Sequence, residues 1–590
     1  MKRKYRSSFW FNNPKNPGMT ALYLERYLNY GLKKKELQSG KPIIGIAQSG
    51  SDLVPCNRHF LELSRHIKKG IKDAGGIPME FPTHPLQETG KRPTAALDRN
   101  LAYLSLVEVL YGYPLDGVVL TTGCDKTTPS ALMAACTVNL PAIILSGGPM
   151  TNGYYKGKKI GSGTIVWEAR RMHAKGEINY SKFIDLVAKG SPSIGHCNTM
   201  GTALTMNSVI EALGMSLPGC AAIPAPYEQR KKISYETGKK IVEIVENNLT
   251  PKKILIKKAF INAIKVATLI GGSSNCPPHL IAIARHIGVK LDLNDWQKEG
   301  YGLPLIVDCQ PSGKHLGEDF YKAGGIQAII KELSEKNLLY KNCITVTGKK
   351  ISENIPKNLK INRKVIRNFS KPILKNAGFL VLKSNFFDKA IMKTSVINDE
   401  FRRRYLSNKK KPNFFKGKIV VFEGPEDYHK RINDKNLNID EYTVLVIRNC
   451  GPVGYPGSAE VVNMQPPDHL LKKGIKSLPC LGDGRQSGTS ESPSILNISP
   501  ESAIGGALAL LKNNDIISID LKRREVKLII SAKELRRRKK NIKIIKLNNQ
   551  TPWQELSRKF VGQLSTGACL EFAVGYDNII KSKGLPRDSH

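Results

Sequence analysis

The chain has 590 residues, of which 91 are lysine or arginine and 50 are aspartate or glutamate, so its formal charge is +41 at neutral pH. This length predicts two or three domains, each large enough to fold without disulfide staples. The 11 scattered cysteines, the negative mean hydropathy and the lack of an apolar run of membrane-spanning length predict a soluble cytoplasmic protein with no membrane partner. The stretch from Met1 to Arg6 is basic like the start of a signal peptide, but the expected apolar segment does not follow it.

The excess of positive charge raises nucleic acid as a partner. Basic residues form short groups along the whole chain, such as Lys33–Lys35, Lys409–Lys411 and Arg536–Lys540, with no zinc-finger spacing and no alternation with aromatic residues. A solvated, lysine-rich surface is the preferred interpretation, so no nucleic-acid partner is expected. The same positive field would attract a small anionic substrate.

The first 370 residues carry an α/β pattern behind a polar arm. Residues 1–40 show few periodic signals and are predicted to be an arm that packs on a neighbouring domain or subunit. From residue 41 to 370, short apolar strands alternate with amphipathic helices, as a layered parallel sheet requires. Predicted strands are Ile43–Ala47, Gly117–Thr121 and Ala142–Ser146, and predicted helices are His59–Ala74, Met206–Leu213, Tyr235–Asn247 and Leu280–Ile287.

Residues 371–590 change to short β-like runs separated by turn residues, which is typical of a barrel or sandwich. A lysine- and asparagine-rich passage, Thr347–Lys371, precedes this change. One helix is expected in the second domain, with Ser499 as N-cap, Pro500 at its first position and Ala503–Leu511 as its body. The predicted fold class is therefore α/β, with a parallel-sheet N-terminal domain and a C-terminal β-barrel domain.

The turn after the predicted strand Gly117–Thr121 holds a soft metal ligand, a hard one and an amine in succession, Cys124, Asp125 and Lys126. The alanine-rich stretch from Pro129 is predicted to be the next helix. In an open α/β sheet such a turn lies at the carboxyl end of a strand, where ligands bind. Thiolates suit iron or zinc, and carboxylates suit magnesium or calcium. The alternative is structural, with a buried cysteine, an N-cap and a surface lysine.

Two further cysteines, Cys56 and Cys197, lie in predicted loops beside glycine, proline, asparagine or histidine. Three loop cysteines that converge can bind an iron–sulfur cluster or zinc, and a cluster with three thiolates keeps one iron open as a Lewis acid. No CxxC spacing supports this reading, and three separate structural thiols are the alternative. The second domain has two glycine-rich passages, Gly451–Glu460 and Gly482–Thr489. Glycine lets the backbone approach a ligand closely, and the alternative is that both passages form tight turns of the barrel.

Four motifs stand out together: Gly123-Cys-Asp-Lys-Thr-Thr-Pro129, Gly195-His-Cys-Asn-Thr-Met-Gly201, Gly457-Ser-Ala-Glu460 and Asp483-Gly-Arg-Gln-Ser-Gly488. In combination they resemble the dihydroxy-acid dehydratase and sugar-acid dehydratase family, and the resemblance covers nearly the whole chain. Longer stretches are similar to the branch that acts on pentonic acids such as D-xylonate. These stretches are Arg92–Asn100, Ala222–Tyr227 and Ala459–Pro467.

The resemblance implies roles for nine residues. A 2Fe-2S cluster would be bound by Cys56, Cys124 and Cys197. A magnesium ion (Mg2+) would be bound by Glu88, Asp125, Glu460 and Lys126, the lysine as a carbamate because an ammonium group cannot ligate a cation. Ser487 would abstract a proton, and Thr489 would contact the substrate. The resemblance also implies a homodimer or homotetramer with sites at subunit interfaces.

The implied activity is dehydration of a small-molecule sugar acid, an aldonic acid such as D-xylonate, to a 2-keto-3-deoxy acid and water. Magnesium would acidify the C2 proton, Ser487 as an alkoxide would remove it, and the open iron would help the C3 hydroxyl to leave. Two alternatives stay open. One is the same chemistry on the branched dihydroxy acids of valine and isoleucine synthesis, and the other is a basic RNA-binding protein on the same fold.

Overall fold

In the computed structural model, which describes residues 4–588, the N-terminal part is built on a four-stranded parallel sheet of order β2-β1-β3-β4. The strands are β1 (Ile43–Gln48), β2 (Ile77–Pro82), β3 (Gly117–Thr122) and β4 (Ala142–Ser146). The three predicted strands are confirmed, and β2 is an additional edge strand. Because β1, β3 and β4 are buried along their whole length, they read in the sequence as continuous apolar runs.

Helices surround this sheet. The four predicted helices, over His59–Ala74, Met206–Leu213, Tyr235–Asn247 and Leu280–Ile287, are all present among them. A small antiparallel pair, β5 (Gly153–Tyr155) and β6 (Lys158–Ile160), lies outside the sheet. The helices are α1 (Ser8–Phe11), α2 (Pro17–Leu28), α3 (Lys34–Leu37), α4 (Phe60–Asp73), α5 (Asp98–Gly112), α6 (Thr127–Val138), α7 (Thr164–Ala174), α8 (Tyr180–Ala188), α9 (Thr202–Ala212), α10 (Glu228–Glu246), α11 (Pro251–Ile254), α12 (Lys257–Leu269), α13 (Cys276–His286), α14 (Leu293–Glu299), α15 (Gly317–Lys322) and α16 (Gly325–Glu335).

The C-terminal part is a closed eight-stranded barrel of order β10-β11-β12-β8-β7-β14-β13-β9, which confirms the predicted fold class. Its strands are β7 (Phe379–Ser384), β8 (Lys389–Lys393), β9 (Phe414–Phe422), β10 (Val444–Ile447), β11 (Cys480–Gly482), β12 (Ile495–Ser499), β13 (Ile516–Asp520) and β14 (Glu525–Leu528). The helices of this part are α17 (Asp399–Phe401), α18 (Pro425–Arg431), α19 (Asp468–Lys472), α20 (Ala532–Lys540), α21 (Pro552–Phe560) and α22 (Ile579–Lys583).

The predicted helix over Ala503–Leu511 is wrong. Ser499 ends strand β12 instead of capping a helix, and the residues after it form two short 3-10 turns on either side of Gly505. Gly505 has φ +80°, and a Cβ on Gly506 would lie 2.3 Å from the Pro500 carbonyl oxygen. The two glycines fold the chain back onto itself, so a continuous helix cannot form there.

Both ends of the described chain pack on the α/β part. Within residues 4–40, Trp10 and Phe11 join the core, and Ser7 donates a hydrogen bond to Asp116 Oδ2 (2.7 Å). The segment 552–583 contacts the α/β part, where Trp553 Nε1 donates to the Leu97 carbonyl (2.9 Å) and Arg99 donates to the Gly567 carbonyl (2.8 Å). The start of the basic N-terminal stretch, residues 1–3, lies outside the described residues. Between residues 4 and 588, no helix has the length and apolar character needed to cross a membrane.

Candidate active site

Strand β3 leads directly into the predicted turn. It ends at Thr122, and α6 begins at Thr127, two residues before the predicted helix start. The N–H of Cys124 donates to Asn57 Oδ1 (3.0 Å), and the Thr127 hydroxyl donates to the Cys124 carbonyl (2.9 Å). These bonds fix the turn at the carboxyl end of an inner strand, the edge where ligands bind in α/β sheets.

One cleft, of about 1010 Å³, collects eight of the nine predicted residues. These are Cys56, Cys124, Cys197, Glu88, Asp125, Glu460, Ser487 and Thr489. The ninth, Lys126, is 1% exposed and borders a separate cavity of about 30 Å³, which Arg99, His279 and Arg485 also line. The structure therefore brings together residues from both parts of the chain that are far apart in sequence.

The three cysteines that line the cleft are free thiols. Gln87 Nε2 donates to the Cys56 sulfur (3.2 Å), and the Glu88 N–H donates to the Cys124 sulfur (3.5 Å). Contact with Cys56, together with burial, raises the pKa of Cys124 well above its usual value, and burial raises the pKa of Cys197 to about 12. Such thiols ionise only beside a strong positive centre. Cys56 and Cys124 contact each other and Cys197 lines the same cleft, and thiolates are the ligands that an iron–sulfur cluster takes.

Glu88, Asp125 and Glu460 form a half-buried acidic group that two cations contact. Lys126 Nζ lies 2.8 Å from Glu88 Oε2, and Arg485 donates to Glu88 Oε1 (3.0 Å) and to Glu460 Oε1 (3.2 Å). Burial favours the neutral form of Glu88, but the charges of Lys126 and Arg485 outweigh it and lower the pKa. Burial, followed by the charge of Glu88, raises the pKa of Glu460 to about 8, and burial also raises the pKa of Asp125.

Lys126 and Arg485 therefore do not compensate the negative charge that the acidic group would carry with all three carboxyl groups ionised. The Lys126 nitrogen and Glu88 Oε2 each lack an aligned hydrogen-bond partner. Within residues 4–588, no three His, Cys, Asp or Glu side chains are arranged as a ready metal site, and Glu88 and Glu460 are engaged in ion pairs instead. Carboxylates are the donors that magnesium takes, so the three half-buried carboxyl groups fit that ion as a donor set only where Lys126 does not compete as a cation.

Ser487 and Thr489 lie on the loop that follows β11, beside this acidic group. Their hydroxyl oxygens are 3.0 Å apart, and the Ser487 N–H donates to Asn463 Oδ1 (3.0 Å). Trp167 Nε1 donates to Thr489 Oγ1 (3.1 Å). Gly163, with φ +79°, comes so close that a Cβ on it would lie 2.5 Å from Thr489 Cγ2. Any larger residue at that position would displace Thr489.

Three residues that contact the site are not assigned by the sequence analysis. Arg485 links Glu88 to Glu460, Asn275 Nδ2 donates to Glu460 Oε1 (2.5 Å), and Trp167 contacts Thr489. Arg485 stands inside a recognised motif, so its position is a usable signal. Nothing near Asn275 or Trp167 in the sequence marks them, because each contact joins segments that are far apart along the chain.

The chain belongs to the dihydroxy-acid/6-phosphogluconate dehydratase family. Residues 41–354 match the N-terminal domain of that family, and residues 364–568 match its C-terminal domain. This confirms the resemblance found in the motifs, and it makes the protein a hydro-lyase, an enzyme that eliminates water.

Relatives within the family differ in the acids for which they are named. The chain is 56% identical to a D-xylonate dehydratase of Caulobacter vibrioides over 588 residues, which cover 100% of this chain and 98% of the relative. It is 41% identical to an L-arabinonate dehydratase of Rhizobium leguminosarum bv. trifolii, with 100% and 99% of the two chains covered. It is 37% identical to a dihydroxy-acid dehydratase of Clostridium novyi, with 90% and 95% covered. Identity is thus higher to these two sugar-acid dehydratases than to this dihydroxy-acid dehydratase.

Proposed function

We propose that this enzyme dehydrates an aldonic acid, with D-xylonate as the first candidate, to the 2-keto-3-deoxy acid and water. One observation carries the proposal: three cysteines, three half-buried carboxyl groups and the Ser487 hydroxyl line a single cleft. The identity of 56% to a protein named D-xylonate dehydratase supports the choice of acid. The same comparison disfavours the two alternatives, the branched dihydroxy acids and RNA binding.

Two groups of residues would hold the metal centres. Cys56, Cys124 and Cys197 would bind a 2Fe-2S cluster, and the carboxylates Glu88, Asp125 and Glu460, with Lys126 as a carbamate, would bind magnesium. Bound there, these centres would supply Lewis acidity to the carboxylate end of the substrate and to the departing C3 hydroxyl. Carbamate formation would convert Lys126 from a competing cation to a ligand.

Ser487 is the candidate base that removes the C2 proton. Trp167 donates its N–H to Thr489 Oγ1, so the Thr489 hydroxyl is free to donate its own proton towards Ser487 Oγ, 3.0 Å away. A donor at that distance stabilises the Ser487 alkoxide, which serine cannot form at its ordinary pKa. The bond from the Ser487 N–H to Asn463 fixes the backbone at the base. After the C2 proton and the C3 hydroxyl have left, the enol product relaxes to the keto acid.

The proposal also places the enzyme in the cytoplasm, as a homodimer or homotetramer without nucleic-acid or membrane partners. All 11 cysteines are free, as expected of a reducing compartment. Cluster-binding thiols need such an environment to stay available for iron.

The test is anaerobic purification followed by assay of a panel of aldonic acids, with release of 2-keto acid as the readout. D-Xylonate should be turned over faster than 2,3-dihydroxyisovalerate, the branched-chain substrate. A preference for the branched acid would overturn the proposal.

Ser487→Ala tests the assigned base. Fold and metal content should remain, while turnover and exchange of the C2 hydrogen with deuterated solvent should both fall by about two to four powers of ten. Thr489→Val, which removes only the supporting hydroxyl, should cost less than Ser487→Ala in both assays. If Ser487→Ala stops dehydration but exchanges the C2 hydrogen at the wild-type rate, Ser487 assists departure of the C3 hydroxyl and is not the base.

A further inference from the structure

A second cleft, of about 810 Å³, meets the first at the reacting centre. Glu88, Glu460, Ser487 and Thr489 line both clefts. None of the three cleft cysteines lines the second one, which lies between α7 of the α/β part and the 461–466 loop and α18 of the barrel part. A molecule held at Ser487 can therefore extend away from the cysteines into this second space.

The wall of the second cleft is polar and aromatic. Trp167, Asn463 and Gln465 are half-buried there. Asn463 uses Oδ1 to accept from the Ser487 N–H, which leaves its amide N–H groups without a protein acceptor among residues 4–588. Gln465 Nε2 makes a long bond to the Trp167 carbonyl (3.4 Å), and the described chain offers no donor to its Oε1. Donors and acceptors beside an indole ring are what a short polyol chain needs for recognition.

The backbone of this wall is held in place. The Gln465 N–H donates to the Tyr428 hydroxyl (2.9 Å), and that hydroxyl donates to the Gln465 carbonyl (3.2 Å). Tyr428 itself packs edge-on against Phe422, with ring centroids 5.5 Å apart. The Gln465 side chain is thus presented from a fixed loop, as expected of a residue that discriminates between ligands.

The structures of the two candidate substrates show which of their atoms a selective binding site must contact. D-Xylonate and L-arabinonate have the same configuration at C2 and C3, where the reaction occurs, and differ only at C4. Relatives of this chain carry both names. A binding site that separates the two acids must therefore contact C4 or its hydroxyl, on the side of the molecule away from the carboxylate.

We infer that the second cleft binds the part of the substrate beyond C3, and that Gln465 recognises the C4 hydroxyl by hydrogen bonding while Trp167 gives apolar support. This inference rests on the proposed function. With C2 at Ser487 and the C3 hydroxyl directed to the cysteine side, the C4–C5 segment occupies the space between Trp167 and Gln465. Gln465 is then a specificity residue that takes no part in proton transfer.

The test compares kcat/KM for D-xylonate with that for L-arabinonate, or with its Ki as a competitive inhibitor if it is not turned over. Gln465→Leu keeps the approximate size of the side chain and removes its polar atoms. This replacement should lower kcat/KM for D-xylonate by about 10- to 100-fold. It should also shift the ratio of kcat/KM for the two acids by at least about fivefold, because a site built to hydrogen-bond a hydroxyl loses discrimination when that bond is removed. Trp167→Phe, which keeps a ring, should shift the ratio less.

The matched control is Ile194→Ala. Ile194 is 52% exposed and lines the first cleft but not the second. Its replacement should leave the ratio between the acids unchanged. If Ile194→Ala shifts the ratio and Gln465→Leu does not, the C4–C5 segment lies on the cysteine side and the inference is wrong. If the wild-type enzyme dehydrates no aldonic acid at all, the proposed function fails instead, so the two failures are distinct.

Discussion

Replacing Arg485 by methionine tests whether the guanidinium holds the acidic group together. Arg485 is 2% exposed and donates to Glu88 (3.0 Å), to Glu460 (3.2 Å) and, through Nε, to the Ser458 carbonyl (2.6 Å). Methionine has a similar length and no charge, so it removes all three bonds without leaving a large cavity.

The expected loss can be worked from Glu88. Lys126 and Arg485 lower the pKa of that carboxyl from 4.5 to about 2 against the opposing effect of burial. Lys126 and Arg485 share this stabilisation of the folded state, which is fully present above the unfolded pKa and is lost as the pH falls towards 2. Removing one partner of a buried ion pair generally costs about 3–5 kcal/mol. We therefore expect Arg485→Met to lower the free energy of unfolding by about 3 kcal/mol at pH 7.5.

The measurement is urea unfolding in magnesium-free buffer, followed by tryptophan fluorescence, because Trp167 lies at the site. The matched control is Arg537→Met. Arg537 pairs with Glu534 on the exposed helix α20, with 60% of its side chain accessible, so its loss should change the free energy of unfolding far less than the loss of Arg485. Equal effects of the two replacements, or an Arg485→Met midpoint at the wild-type value with an unchanged slope, would refute the reasoning.

Three further predictions address metal binding and acid stability. Cys124→Ser should lose its iron and brown colour. Cys569→Ser, at a buried thiol that does not line the cleft, should keep both. Full iron content in Cys124→Ser would contradict the cluster assignment. Lys126→Arg keeps the positive charge but cannot form a carbamate, so its magnesium content by elemental analysis should fall to background, and a normal content would exclude the carbamate. Burial lowers the pKa of His59 to about 4 and of His286 to about 3. Below about pH 6.5 the unfolded chain therefore binds more protons at these histidines than the folded chain does. Each histidine should cost about 2 kcal/mol of stability at pH 5 relative to pH 7. His286→Gln should shrink the loss between pH 7 and pH 5, measured by urea unfolding, by that amount, and an undiminished loss would rule out this source.

The sheet and the turn that follows β3 are predictable from the sequence because their signals are local. The run Gly117–Thr121 is apolar since β3 is buried on both faces, and the next helix follows within a few residues. In the barrel, β10 is buried along its whole length in the same way, whereas β14 alternates buried residues with more exposed ones. The helix over Ala503–Leu511 fails as a prediction because its capping pattern is present while Gly505 and Gly506 enforce a reversal, which only the path of the chain reveals.

The site is predictable in its residue types but not in its internal contacts. The motif resemblance selects nine residues, of which eight line one cleft and the ninth, Lys126, lies beside Glu88. It does not show that Arg485 connects Glu88 with Glu460, since that contact depends on how the two parts of the chain pack. Nor does it reveal the second cleft, whose wall combines Trp167 from one part with Gln465 from the other.

The origin of the site in two parts of the chain has a consequence for catalysis. The α/β part supplies the cysteines, Asp125 and Lys126, whereas the barrel part supplies Glu460 and Ser487. Their spacing therefore depends on contacts that cross the junction, which include Arg485 with Glu88 and Asn275 with Glu460. Near-attack geometry tolerates little displacement, because an error of about 1 Å can cost about 100-fold in rate. Side chains that never touch the substrate can thus control turnover by setting the distance between the proposed base, Ser487, and the proposed metal ligands.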